Sequence, residues 1–305
     1  MPEGDSLARV EQRLRPVLAG HPLTRAELRV PALATLDLTG RTIRDVRAYG
    51  KHLFMEFDGG DALHSHLLME GTWRAISRGE RWPARAAQVR AVLETADTTV
   101  LGIDLGILDA LTAAQVAELT DLLGPDPIHA WDPQEALQRL VARPERELGA
   151  ALLDQRVVAG IGNIFRSEAL FMARLNPWVV VGEVPPERLK QVLDVAAGQL
   201  RDNATRASRR TAGPTFRDRY WVYGRAGQAC PRAHGRVAHG LIADPDLQRG
   251  RVGGDARDLS AVARDVYFCA RCQGVDPATA AAATAQLGGT TPGAGRSGAR
   301  TSPRR

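Results

Sequence analysis

Cys269-Ala270-Arg271-Cys272 places two thiols with two residues between them, and Cys230-Pro231-Arg232-Ala233-His234 offers a third sulfur with an imidazole close behind. Four soft or borderline donors in two clusters suit a tetrahedral zinc ion, with no position left for a reacting water. Cys230, His234, Cys269 and Cys272 are therefore the expected ligands of a structural metal, with His239 the rival for the fourth place. A redox pair is the poorer reading, because no thioredoxin-like βαβ pattern surrounds the cysteines. Three cysteines in 305 residues also cannot build a disulfide framework.

A second chemistry is available at the other end. The chain opens Met1-Pro2-Glu3-Gly4-Asp5, and removal of the methionine would leave Pro2 with a free secondary amine beside a carboxyl group. Such an amine, condensing with an aldehyde-level sugar carbon, forms a charged iminium that serves as an electron sink for elimination. The positive end of a helix starting here would disfavour the ammonium form and bring the amine toward a neutral pKa. Of the 40 basic residues only Lys51 and Lys190 are lysine. In so arginine-biased a chain, Lys51 stands out as a group that can exchange a proton where a guanidinium cannot. Lys190, within Glu187-Arg188-Leu189-Lys190, reads as a solvent-facing helical charge. Farther along, Gly160-Ile161-Gly162-Asn163 joins two helical stretches. Backbone amides at such a turn can grip a phosphate, with Asn163 as a further donor, and a packed helical corner is the alternative reading of the same spacing.

These groups need elements to hold them. At 32.9 kDa the chain exceeds the usual size of one core, so two or more domains are expected. Leu7, Val10, Leu14 and Leu18 recur at helical spacing and predict a helix over 6–18. Residues 28–100 break into short runs such as 51–57, ended by Asp58-Gly59-Gly60, which is the pattern of strands and hairpins. A helix is predicted over 112–123, stopped by Gly124-Pro125-Asp126-Pro127. Further helices are predicted over 133–142, 146–153, 163–175 and 186–206, and short apolar runs return around the cysteines. The expected architecture is α+β and multidomain. It comprises a catalytic β-sandwich with flanking helices (1–125), a helical module (126–222), a zinc-stapled hairpin (223–274) and a disordered basic tail (275–305).

Charge is unevenly spread. Residues 1–200 hold 22 basic against 27 acidic side chains, residues 201–273 hold 14 against 7, and the tail holds 4 against 1. A basic module carried by a near-neutral partner is what a polyanion-binding protein presents. No apolar run reaches the roughly 18 to 20 residues of a spanning helix, and the acidic start is unlike a signal peptide, so no membrane partner and a cytoplasmic location are expected.

Taken in order, several motifs resemble the formamidopyrimidine-DNA glycosylase and endonuclease VIII family. They are Met1-Pro2-Glu3-Gly4-Asp5, Gly50-Lys51-His52-Leu53, the helix-two-turn-helix run over 154–171, Asn176-Pro177-Trp178, Tyr223-Gly224-Arg225-Ala226-Gly227 and Cys269-x-x-Cys272-Gln273. The opening Pro-Glu-Gly-Asp is closer to endonuclease VIII, in its actinobacterial-type branch, than to the purine-directed enzymes.

The resemblance implies a bifunctional glycosylase and apurinic/apyrimidinic lyase acting on damaged double-stranded DNA, as a monomer at the bacterial nucleoid. By the same resemblance, Pro2 attacks C1′ of the damaged nucleotide, Glu3 protonates the sugar, and Lys51 donates a proton during β-elimination. Arg264 grips the flanking phosphate and assists δ-elimination, leaving phosphates at both ends of a gap. A base that leaves the stack needs a replacement, and Ser65-His66-Leu67-Leu68-Met69 points to Met69 as the wedge, against core packing as the alternative. Oxidised pyrimidines are the expected lesions. Oxidised purines, or DNA binding without catalysis, stay open. The chain departs from the family at Ala233, where a second zinc cysteine stands, at Leu68 in place of a glutamine, at Leu122 in place of an arginine, and in an insertion over 247–262.

Overall fold

A computed structural model describes residues 2–243 and 263–289. Helix α1 (Gly4–Leu18) buries the predicted apolar row, Leu7, Val10, Leu14 and Leu18. Two four-stranded antiparallel sheets follow. One runs β1 (Arg25–Leu28), β6 (Val89–Glu94), β7 (Thr98–Ile103), β5 (Thr72–Ser77), and the other β2 (Ile43–Tyr49), β3 (His52–Phe57), β4 (Ala62–His66), β8 (Ile107–Leu111). Strand alternation sends Leu53, Met55 and Phe57 of β3 into the core that α1 and Trp73 share. Trp73 keeps its indole N–H satisfied there by donating to Ser65 Oγ at 3.0 Å. Phe54, on the opposite face of β3, packs with Val116 and Leu119 of α2 (Ala113–Leu122). Thr112 and Gln115 cap that helix reciprocally.

A second core gathers α3 (Pro133–Val141), α4 (Leu148–Ala151), α5 (Asn163–Ala173) and α6 (Pro186–Ala204) around Leu140, Leu148, Phe165, Leu170, Leu193 and Leu200. Helix α4 is shorter than the 146–153 expected from the sequence. Glu147 is extended and bridges to Val180, and after Ala151 the backbone tightens into successive turns. Strands β9 (Ala238–Ile242) and β10 (Arg264–Phe268) then form an antiparallel hairpin, followed by the single turn α7 (Ala270–Gln273).

One expectation is corrected. Residues 275–305 read as disordered, yet α8 (Pro277–Ala285) forms, capped by Asp276 on the Thr279 amide. The low content of large apolar side chains misled, because α8 docks by close approach. A Cβ on Gly240 of β9 would stand 2.9 Å from Ala283 Cβ, and Thr284 donates to the His239 carbonyl at 3.2 Å. Alanine is also the strongest helix former. Residues 290–305 and the insertion at 247–262 lie outside the described residues. Among those described, no helix is long and apolar enough to cross a membrane.

Candidate active site and nucleic-acid interface

Three glycines bring distant segments into one corner. Gly4 at the start of α1 donates its amide to the Gly160 carbonyl at 2.9 Å. Gly50, in the β2–β3 turn, donates to Asp126 Oδ2 at 2.9 Å, and a Cβ on it would stand 2.8 Å from Ala159 Cβ. Gly160 has φ +97°, and a Cβ there would lie 3.3 Å from Gly4 Cα and 3.5 Å from Gly50 Cα. Only backbone without side chains can meet this closely. Pro2-Glu3, Lys51 and the turn before α5 are adjacent as a result.

Glu3 is fully buried. Its Oε2 accepts from the amides of Gly162 at 2.7 Å and Phe165 at 3.3 Å, and its Oε1 accepts from Ile164 at 2.8 Å. The first amides of a helix lack partners within it, and the helix's positive end favours an anion. The turn expected to grip a phosphate through these amides therefore holds Glu3 instead. Asn163 is itself buried, its Oδ1 accepting from Arg166 at 3.4 Å. Pro2, beside Glu3, is half-buried, and Met1 lies outside the described residues. Lys51 sits next to Gly50 in the same turn. Burial pushes its pKa down to about 8, with the charge of Glu3 opposing the shift.

Two charged residues of α5 that the sequence motifs do not single out are buried. Arg166 is fully buried and donates to Gly149 O at 3.2 Å and to the Asp265 carbonyl, tying α5 to the strand that carries Arg264. Burial lowers its pKa to about 9. Glu168, also fully buried, accepts from the amides of Trp221, Val222 and Tyr223 at 2.7 to 2.8 Å and from the Thr211 hydroxyl. Burial raises its pKa. The signal was available: an arginine and a glutamate within Asn163-Ile164-Phe165-Arg166-Ser167-Glu168-Ala169-Leu170-Phe171 interrupt a helix apolar on every side, and buried charges need partners.

Arg264 is exposed at the start of β10. Met69 lies in the loop between β4 and β5 and is 59% exposed, so it is no part of a core, and its neighbour Leu68 is 44% exposed with φ +51°. The Leu68 amide donates to His66 Nδ1 at 3.0 Å and shapes that loop.

The cysteines are brought together from both sides of the hairpin. The sulfurs of Cys230, Cys269 and Cys272 lie within 4.8 Å of one another, and none is in a disulfide. His234 Nδ1 is 3.1 Å from Cys272 Sγ. His239 is engaged elsewhere, with Nε2 2.7 Å from Asp265 Oδ1 and its ring stacked on Tyr267 at 4.4 Å. Burial and the neighbouring thiols push Cys272 up to about 12. Three sulfurs gathered this closely, with an imidazole alongside, match the soft and borderline donor set that a zinc ion takes.

The sequence matches the models of the formamidopyrimidine-DNA glycosylase N-terminal domain over residues 1–104 and of the formamidopyrimidine-DNA glycosylase H2TH domain over residues 123–211. It is 43% identical over 279 residues to a probable endonuclease 8 2 of Streptomyces coelicolor, covering 90% of this chain and 94% of that protein. It is 44% identical, again over 279 residues, to the DNA-(apurinic or apyrimidinic site) lyase Nei2 of Mycolicibacterium smegmatis, covering 90% and 99%. The chain belongs to the formamidopyrimidine-DNA glycosylase and endonuclease VIII family. The fold agrees with that of the Lactococcus lactis formamidopyrimidine-DNA glycosylase bound non-covalently to DNA containing an abasic site, at TM-score 0.69 and 22% identity over 89% of this chain and 99% of that one. Of the family motifs, Pro2-Glu3, Gly50-Lys51 and the turn before α5 converge at the glycine corner; the cysteines lie with the hairpin, whose Arg264 comes near enough for its charge to help lower the Lys51 pKa.

Proposed function

We propose that this protein is a base-excision DNA glycosylase and apurinic/apyrimidinic lyase that removes oxidised bases, pyrimidines in the first place, through an imine at Pro2. With Met1 removed, the Pro2 nitrogen attacks C1′ of the damaged nucleotide and the bond from C1′ to the base breaks. Glu3 moves a proton at the sugar as the base departs. The iminium acidifies the C2′ hydrogen; its loss expels the 3′ phosphate, to which Lys51 supplies a proton. Arg264 holds the flanking phosphate and assists loss of the 5′ phosphate in the second elimination. Met69 fills the space left by the extruded nucleotide, and Asn163 supports the backbone beside it.

DNA lies between the sandwich (1–125) and the helical module with its hairpin (126–222 and 223–274). Cys230, His234, Cys269 and Cys272 would hold zinc, which cross-links the hairpin and takes no part in the reaction. The observation that carries this reading is the seating of Glu3, next to Pro2, in the amides that open α5, with the Lys51 turn docked on the same backbone.

The test is borohydride trapping on a duplex with an abasic site, with the adduct mapped by mass spectrometry. An adduct on Pro2 of Met1-processed protein is expected; an adduct elsewhere, or active protein that keeps Met1, overturns the mechanism. Faster excision of 8-oxoguanine than of thymine glycol or 5-hydroxyuracil overturns the preference for pyrimidines.

A further inference from the structure

His129 stands between two carboxylates. Its Nδ1 lies 2.9 Å from Asp126 Oδ2 and its Nε2 lies 2.9 Å from Glu11 Oε2. Each of those oxygens also holds an amide of the arm that leads to Lys51. Glu11 Oε2 accepts from Ala48 at 3.0 Å, and Asp126 Oδ2 accepts from Gly50 at 2.9 Å. Ala48 and Gly50 bracket the end of β2, and Lys51 is the next residue.

Both carboxylates are buried, and two buried anions gripping one short stretch of backbone repel each other unless a cation stands between them. An imidazole bonded to a carboxylate at each nitrogen must donate from both, which makes it an imidazolium. Its raised pKa, about 9, agrees: the hydrogen bond to Asp126 is the largest cause and that to Glu11 the next. The other groups facing this cluster do not replace it. Arg15 reaches only the far oxygen of Glu11, at 3.5 Å, and the Tyr49 hydroxyl is donated to the Gly124 carbonyl at 3.0 Å. His129 is absent from both main apolar cores, and its side chain is 31% exposed. Its role is to hold rather than to fill.

We infer that His129 is a positioning residue for elimination: it joins α1 to the segment ahead of α3 and thereby fixes the hairpin turn that presents Lys51. The inference rests on the role given to Lys51 above.

The experiment uses the full chain carrying His129→Ala or His129→Gln, each alone and combined with Lys51→Ala. Single-turnover strand cleavage is followed on a duplex with an abasic site, alongside borohydride trapping. Loss of His129 is expected to slow cleavage about tenfold, the effect of a sub-ångström misplacement, while trapping at Pro2 stays at the wild-type yield. In the Lys51→Ala background the same change should slow cleavage no further. Wild-type cleavage by both His129 variants, an equal loss of trapping, or an undiminished effect in the Lys51→Ala background overturns the inference. Wild-type cleavage by Lys51→Ala alone overturns the lysine's role first, and that arm is read without His129. Should His129→Ala not fold, His129→Gln, which keeps one hydrogen bond and loses the charge, provides the comparison.

Discussion

A Cβ placed on Gly162 would lie 2.5 Å from Cδ of Glu3. The carboxylate thus occupies the space a side chain at residue 162 would need, and a position 159 residues distant in sequence depends on that glycine. Gly162→Ala should push Glu3 out of the amide cradle. Base excision in single turnover is expected to fall by about a hundredfold, the scale on which a misplaced reacting group is felt. A wild-type rate in a folded variant would show that Glu3 acts from somewhere else.

Lys51 has a pH signature. Its pKa is lowered to about 8 by burial, so below that pH the amine carries the proton it is proposed to donate. Elimination from the preformed imine should therefore slow as pH rises through about 8. Lys51→Arg, which stays protonated, should lose that alkaline fall at a lower overall rate. Cleavage by the wild type that accelerates across the same range would instead mark Lys51 as a base.

His129 affects stability in the opposite sense from a salt-bridged carboxylate. Its folded pKa is raised to about 9 by Asp126 and Glu11, against roughly 6.5 in the unfolded chain. Its contribution is full below the unfolded value, declines as pH rises, and is gone above the folded one. Thermal unfolding followed from pH 6 to 10 should show this decline in the wild type and a flatter profile in His129→Gln. Parallel profiles would mean that the imidazolium adds nothing.

Cys272→Ser removes one of three sulfurs that lie within 4.8 Å of one another. Metal content measured by mass spectrometry should drop, and DNA binding should be lost, because structural zinc binding is coupled to local folding. The sandwich has its own core, so near-ultraviolet signals from Trp73 should persist. Retention of one zinc per chain would refute the ligand assignment.

Much of this molecule is legible along the chain. Periods of 3.6 and 2 residues mark α1 and the strands because a side chain's face follows from its own backbone geometry, as Leu7, Val10, Leu14 and Leu18 show. Pro/Gly clusters end helices for equally local reasons, and a thiol pair separated by two residues carries its chemistry wherever it lies. Local reading fails at α8, whose stability comes from small residues closing on Gly240 rather than from large apolar ones.

Residue types and spacing by themselves determined a proline at position 2 beside Glu3, a lysine at 51 that is one of only two in the chain, the cysteine pair and the order of motifs. Tertiary structure decided which groups face one another. Gly4, Gly50 and Gly160 meet, Glu3 caps α5, His234 rather than His239 approaches the sulfurs, and His129 links two carboxylates. These contacts join residues far apart in sequence. Propensity acts within a few residues, whereas such pairings are set only when segments distant along the chain pack against one another.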